Sequence, residues 1–285
     1  MLAAYDEAGD FDKAAFLLGM STRAFGKLWR DLVGAAPPRS ATKPKKQRKL
    51  EDETIYKVAL ISDLHFGSRY QSLEELHDFV RLARQRGVRT LVCVGDLSDG
   101  LKMHEDMESE QFLHKPRDIL NYIVDNYPKG FDTNLFITGN HDYSLQKAGC
   151  MNLGEEIAKR RQDLIFLGHD SGYATIDGGL NIYLHHGTGG CAEVRSKRQQ
   201  DMASNIVAAT RGKVPHLLVT GHCHTENIIP QYMGMMCISV GCFQRQTPYL
   251  FSRGLYPDVG GMILSYQVIN DRLTNPSVDF VGYDV

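Results

Sequence analysis

No apolar run in the 285 residues reaches the roughly 20 needed to cross a bilayer, so no membrane partner is expected. The opening stretch, MLAAYDEAGD, is acidic and has neither the basic start nor the apolar core of a secretory signal. Six cysteines (Cys93, Cys150, Cys191, Cys223, Cys237, Cys242) form no CxxC pair and no small-scaffold spacing. Several of them sit inside apolar runs, where a thiol serves as a small hydrophobe. These absences argue against a disulfide framework, and a reducing, cytoplasmic setting is expected. Positive charge is not in excess either: the formal net charge is −2, so bulk electrostatics do not point to nucleic acid. No internal repeat is visible. The 42% apolar and 23% charged content that remains is that of an ordinary globular chain.

The charge is unevenly spread. Residues 1–38 carry four Lys/Arg against five Asp/Glu, residues 39–53 carry six against three, and the rest of the chain is left at −4. Three segments follow from this and from the hydrophobic pattern: a helical unit over 1–35, a basic, proline-bearing linker over 36–54, and a large domain over 55–285.

In the first segment, Ala14, Ala15 and Leu18 fall on one helical face before Gly19, where a helix would stop. Ser21 is a good N-cap for a second helix, in which Phe25, Leu28, Trp29 and Leu32 recur at helical spacing. Arg23, Lys27 and Arg30 mark its polar side. The stretch GDFDKAAFLLGMSTRAFGKLWRDLVG resembles the Fis-like helix-turn-helix of bacterial DNA-binding proteins, through Ala15, Gly19, Met20, Phe25 and Leu28. That resemblance implies DNA contact through Arg23, Lys27 and Arg30, with the linker's basic run gripping phosphates without sequence preference. The other reading is a helical hairpin that packs on the main domain or on another copy in a homodimer. So few residues precede the first helix that a third, supporting helix has to be short or come from a partner.

From Tyr56 short apolar runs alternate with helical ones. Strands are expected at Lys57–Ser62, Thr90–Val94, Asn134–Thr138, Leu164–Leu167, Asn181–Leu184, Leu217–Thr220, Met236–Val240 and Met262–Val268. Helices are expected at Ser72–Arg86, Gln111–Asn126, Gly154–Arg161 and Arg195–Thr210. The alternation predicts an α/β fold, in which ligands bind beyond the carboxyl ends of strands.

Five of these strands end in polar clusters. They are Asp63-Leu64-His65, Gly95-Asp96-Leu97-Ser98-Asp99, Gly139-Asn140-His141-Asp142, His185-His186-Gly187 and Gly221-His222-Cys223-His224. One histidine beside a strand is most often a satisfied structural residue. Five clusters on one sheet edge would bring carboxylates and imidazoles together in a set tolerable only around cations.

The order D-x-H, G-D-x-x-D, G-N-H-D, H-G, G-H-x-H resembles that of the calcineurin-like metallophosphoesterases, from Asp63 to His224 and with no position missing. The resemblance implies two mixed β-sheets packed as a sandwich and flanked by helices. It implies two divalent metal ions, one held by Asp63, His65, Asp96 and His224, the other by Asp96, Asn140, His186 and His222. Mixed nitrogen and oxygen donors suit manganese best, with iron or zinc as alternatives. His141 would protonate the leaving oxygen, and the Asp99 carboxylate would orient it. Asp142 is expected to bond the turn, and His185 to pack beside the site.

The implied substrate is a phosphate ester. The protein phosphatase branch is disfavoured, because Gly100-Leu101 follows Asp99 and Asp142 replaces its glutamate. A branch acting on lipid A precursors has arginine in place of His141 and is excluded. DNA exonucleases, cyclic nucleotide phosphodiesterases and small phosphoesterases remain. The helical unit, the basic linker and Arg195, Lys197 and Arg198 lean towards nucleic acid, with Arg195, Arg198 and Arg245 as candidate substrate contacts. Two alternatives stay open: an esterase of small nucleotides or phosphomonoesters, and a DNA-binding regulator with a phosphate-sensing domain. The polar insertion Gly100–Glu110 is expected beside the site as a lid or a plain surface loop.

Overall fold

The computed structural model describes residues 2–8, 11–34, 54–105, 107–187, 189–190, 194–210 and 214–285. The basic linker expected over 36–54 lies almost wholly outside them. The chain divides into two units, Met1–Glu53 and Thr54–Val285.

The first unit holds α1 (Leu2–Ala8), α2 (Phe11–Leu17) and α3 (Thr22–Val33). Ser21 caps α3 as expected, its hydroxyl accepting from Ala24 N at 3.2 Å. Gly34, at φ 68°, ends α3 by donating to Arg30 O. Phe11, Ala14, Ala15, Phe25 and Trp29 are buried together. The short α1 supplies the supporting helix, with Tyr5 edge-on to Trp29 at 5.0 Å. Two expected core positions are not core: Leu18 lies in the turn, and Leu32 is 66% exposed at the far end of α3.

The second unit is a sandwich of two mixed sheets flanked by helices. The chain runs β1 (Tyr56–Ile61), α4 (Leu73–Gln85), β2 (Thr90–Val94), α5 (Met107–Glu110), α6 (Pro116–Asn126), β3 (Thr133–Thr138), α7 (Asn140–Lys147), α8 (Leu153–Arg160) and β4 (Ile165–His169). It continues through β5 (Ser171–Ile176), β6 (Leu180–His185), α9 (Lys197–Ala209), β7 (Leu217–Thr220), β8 (Asn227–Tyr232), β9 (Met235–Ser239), α10 (Pro248–Ser252), β10 (Gly260–Val268) and β11 (Leu273–Gly282). One sheet has the order β11-β10-β1-β2-β3-β4, the other β5-β6-β7-β9-β8. Strands β1 to β4 pair in parallel, as do β6, β7 and β9, so their carboxyl ends lie on common edges.

Alternation along β1 explains the layering, because successive strand residues face opposite sides. Val58 and Leu60 point into the layer between the sheets, where they meet Ile182, Leu184, Leu217 and Val219. Ala59 and Ile61 point to the other side, under Phe79 and Ala83 of α4 and Ile123 of α6. Each fully buried Leu or Ile here contributes about 1.5–3 kcal/mol relative to exposure. Ala203 and Ile206 of α9 cover Leu218 and Cys237 on the outer face of the second sheet.

Boundaries moved where backbone chemistry overrode the apolar pattern. The helix expected at Gln111–Asn126 begins only at Pro116, which occupies the first turn where its missing N–H costs nothing. The turn expected at Gly139 opens α7 instead, with Asp142 Oδ2 accepting from Gly139 N at 3.0 Å. Strands β5, β8 and β11 were not anticipated.

Candidate metal centre

All five polar clusters meet at the carboxyl edges of the two sheets. The loops after β1 and β2 are locked by backbone bonds from Asp63 N to Gly95 O and from Leu64 N to Asp96 O. Asn140 and His141 open α7, and the His141 amide donates to Asp96 Oδ1 at 2.9 Å. A carboxylate at a helix N-terminus is favoured there. The alternation of β6 makes His186 fully buried, whereas His185 is half-buried and accepts from Gly187 N. Close approach requires glycine at position 139, because a Cβ there would collide with Asp96 Oδ1 and the His186 ring.

The backbone is strained at the site itself. Of the seven expected ligands, five have left-handed backbones: Asp63 (φ 52°), His65 (45°), Asp96 (49°), His222 (73°) and His224 (53°). Non-glycine residues hold that conformation at a cost of about 1–3 kcal/mol each, and only where the surroundings fix it.

Four imidazoles are tethered by one ring nitrogen. His65 Nδ1 donates to Asp99 Oδ1 at 2.9 Å, and His186 Nδ1 to Val94 O at 2.7 Å. His222 Nε2 donates to Gly189 O and His141 Nδ1 to Asp99 O, both at 2.6 Å. Carbonyls and carboxylates only accept, so each tether fixes the donor side of its ring. The other nitrogens face inwards. His65 Nε2 stands 3.1 Å from His224 Nε2, and His186 Nε2 2.9 Å from Asp96 Oδ2.

Among the described residues, three groups of donors lie close enough to share an ion: Asp63, His65 and His224; Asp96, His186 and His222; and His65, Asp96 and His141. His222 Nδ1 and Asn140 Oδ1 face each other at 2.9 Å. With the ring proton on Nε2, both of these are lone-pair atoms, and they call for a cation between them. His186 Nε2 and His224 Nδ1 have no well-formed hydrogen bond although both residues are buried. These residues fit a divalent-metal site. An imidazole tethered at one nitrogen and bare at the other is how proteins present histidine to a metal.

Charge complementarity is strong even without ions. Burial opposes ionisation of Asp63, yet the His186 charge and the His224 hydrogen bond bring it down to about 2. Asp96 behaves alike: burial works against it, and His186 and His141 hold it well below the usual range. Burial also opposes the charged form of His186, but Asp96 and Asp63 lift it to about 10. His65 and His222 go the other way, kept low mainly by burial.

The expectation for Asp99 is corrected. Its carboxylate does not orient His141. It accepts from His65 on Oδ1, from Gln111 Nε2 on Oδ2 at 2.9 Å and from Gln244 Nε2 on Oδ1 at 3.2 Å. Only its backbone carbonyl reaches His141. Asp142 bonds the turns, accepting from the amides of Leu97, Ser98 and Gly139. Sequence reading missed Gln111 and took Gln244, with Arg245 and Gln246, for a candidate substrate contact; no local pattern marks a glutamine that supports a distant aspartate.

Of the candidate substrate arginines, Arg195 is paired with Asp258 at 2.6 Å, and with Arg198 it lines a cavity that shares His222 and Cys223 with the cleft holding the donors. Arg245 lines a groove with Arg69, Glu74 and Phe112. Arg23, Lys27 and Arg30 are exposed on α3. The Gly100–Glu110 insertion does border the donor cleft, through Met103, His104 and Glu110. Among the described residues no helix is long and apolar enough to cross a membrane, and Cys93, Cys150, Cys237 and Cys242 form no disulfide.

Known proteins resemble this chain in part. The chain is 27% identical over 256 residues to the DNA polymerase II small subunit of Methanothermobacter thermautotrophicus, covering 74% of this chain and 52% of that protein. It is 25% identical over 259 residues to the DNA polymerase II small subunit of Methanocaldococcus jannaschii, covering 75% and 42%. The chain thus spans about half the length of these curated relatives. Among solved structures, vacuolar protein sorting 29 from Cryptosporidium parvum aligns with a TM-score of 0.41 at 15% identity, over 80% of this chain and 99% of that one. The calcineurin-like phosphoesterase family matches residues 56–252, which hold every donor described above. The chain therefore belongs to the calcineurin-like phosphoesterase family and carries its metal-dependent phosphoesterase domain.

Proposed function

We propose that the protein is a phosphodiesterase with a binuclear metal centre that acts on nucleic acid. The observation that carries the chemistry is the convergence of inward-facing imidazole nitrogens on the buried carboxylates of Asp63 and Asp96. Asp63, His65, Asp96 and His224 would hold one ion, and Asp96, Asn140, His186 and His222 the other, Asp96 being common to both sets. Manganese suits this donor set best, with iron or zinc next. When bound, two such ions supply Lewis acidity for phosphoryl oxygens and lower the pKa of water.

The chain's own residues do the rest. Asp99, supported by Gln111 and Gln244, keeps the His65 proton on Nδ1 so that Nε2 remains a donor to metal. The Val94 and Gly189 carbonyls do the same for His186 and His222. His141 is fixed through Nδ1, which leaves Nε2 to carry the proton given to the leaving oxygen.

Nucleic acid is favoured as substrate because the relatives are named as DNA polymerase subunits. It is favoured also by Arg23, Lys27 and Arg30, exposed on a capped helix that follows a tight turn. That helix would enter a DNA groove. A second reading, hydrolysis of small nucleotide esters, is favoured by the size of the donor cleft, about 540 Å³. A manganese-supplemented screen of the purified protein separates the two. Turnover of DNA or RNA above cyclic nucleotides and aryl monoesters supports the first reading, and the reverse order overturns it.

A further inference from the structure

One wall of the donor cleft is built from two loops that the chemistry above does not use. The loop before α5 brings in His104, and α10 with the residues after it brings in Tyr249 and Arg253; all three line the same cleft as His65, Asp96 and His141. His104 stacks on Tyr249 with ring centroids 4.5 Å apart and planes 13° from parallel. The Arg253 guanidinium lies over the Tyr249 ring at 5.0 Å.

This stack is braced from beneath. Glu110 is buried, accepts from the Tyr249 amide on Oε1 at 3.3 Å, and holds Oε2 4.0 Å from His104 Nε2. The same segment leaves Phe251 73% exposed and Tyr256 67% exposed. Aromatic faces interleaved with arginine are the means by which proteins hold unpaired nucleotides, the rings taking bases and the guanidinium a base face or a phosphate. A duplex keeps its base faces stacked inside and offers this wall only its backbone.

We infer that the His104–Tyr249–Arg253 wall is a subsite for an unpaired nucleotide next to the scissile phosphodiester. The inference rests on the phosphodiesterase reading above and adds a substrate form, single-stranded or frayed, to it. Arg253 and His104 are the binding groups in this account and Tyr249 the platform that positions both; none of the three touches the reacting atoms.

The test compares two diesters that differ in their nucleosides, thymidylyl-thymidine and bis(p-nitrophenyl) phosphate, in full-length Tyr249→Ala, Tyr249→Phe and Arg253→Gln. The ratio of kcat/KM for the dinucleotide to that for the aryl diester should fall roughly tenfold or more in Tyr249→Ala and Arg253→Gln, chiefly through KM, and be kept in Tyr249→Phe. A dinucleotide containing 2-aminopurine, added to protein stripped with EDTA, should lose fluorescence on binding to the native chain and far less with Tyr249→Ala. An unchanged ratio, or equal quenching by native and Tyr249→Ala proteins, overturns the subsite. If no metal gives turnover of either diester, the phosphodiesterase reading fails on its own, and the metal-free quenching still decides the subsite.

Discussion

Asp99 grips His65 rather than His141: its Oδ1 accepts from His65 Nδ1 at 2.9 Å, while only its backbone carbonyl meets His141 Nδ1. One residue thereby sets both imidazoles, one by side chain and one by main chain. Substitution separates the two. In Asp99→Asn the carbonyl remains, whereas the acceptor for His65 is weakened. Metal affinity should fall about 10–100-fold, and the dependence of rate on leaving-group pKa should stay as in the native enzyme. Calorimetric metal titration and a series of aryl diesters check this. Full metal affinity with a steeper leaving-group dependence would instead place the carboxylate in the service of His141.

His141 and Asp96 should part company in the same way. His141→Ala is expected to keep both metals and lose about 10²–10⁴ in turnover of alkyl diesters, with a smaller loss when the leaving group is p-nitrophenolate, which needs no proton. Asp96→Asn is expected to lose metal and turnover together. Metal analysis after gel filtration, set beside the rates, distinguishes the two patterns. Release of metal from His141→Ala would contradict the role given to it.

These contrasts also define what the sequence made legible. The donors were readable because each follows an apolar run and sits at a strand's carboxyl end, as Asp63 follows VALIS and His222 follows LLVTG. The missed strands β5, β8 and β11 are all sheet edges, and β8 and β11 contain Pro230 and Pro276. Edge strands are half-exposed and tolerate proline, so they leave no apolar run to read. The Asp99–His65 bond and its support by Gln111 and Gln244 join residues far apart in the chain. Which atom of Asp99 faces which ring depends on the path of the loop after β2. Motif order cannot carry that information.

Metal binding should release protons. In the metal-free protein His186 is raised to about 10, because Asp96 and Asp63 outweigh burial, and His224 is also raised well above its ordinary value, with Cys242 and Asp63 outweighing burial. A histidine raised above its unfolded value of about 6.5 stabilises the metal-free fold fully below that pH. That contribution is lost as pH rises through the folded pKa, near 10 for His186. Between those limits an incoming metal displaces the proton, so apparent affinity should rise with pH by up to about tenfold per unit for each proton released. Calorimetry in two buffers of different ionisation heat counts the protons. A pH-independent affinity from pH 7 to 9 would contradict the assignment of His186 as a ligand.

The N-terminal unit should be separable in function. Deleting residues 1–50 should leave turnover of bis(p-nitrophenyl) phosphate intact, while duplex DNA binding weakens and its salt dependence flattens as Lys and Arg contacts to phosphate are lost. Fluorescence anisotropy across a salt series measures both. Unchanged DNA affinity after the deletion would assign α1 to α3 to packing rather than targeting.

The most direct measurement is a manganese titration of metal-stripped protein, followed by hydrolysis of bis(p-nitrophenyl) phosphate at each step. The donor geometry predicts that activity climbs to a plateau at two equivalents of metal, that EDTA abolishes it, and that Asp96→Asn gives no rise. Full activity in EDTA, or saturation with no turnover under manganese, iron or zinc, would contradict the binuclear phosphodiesterase.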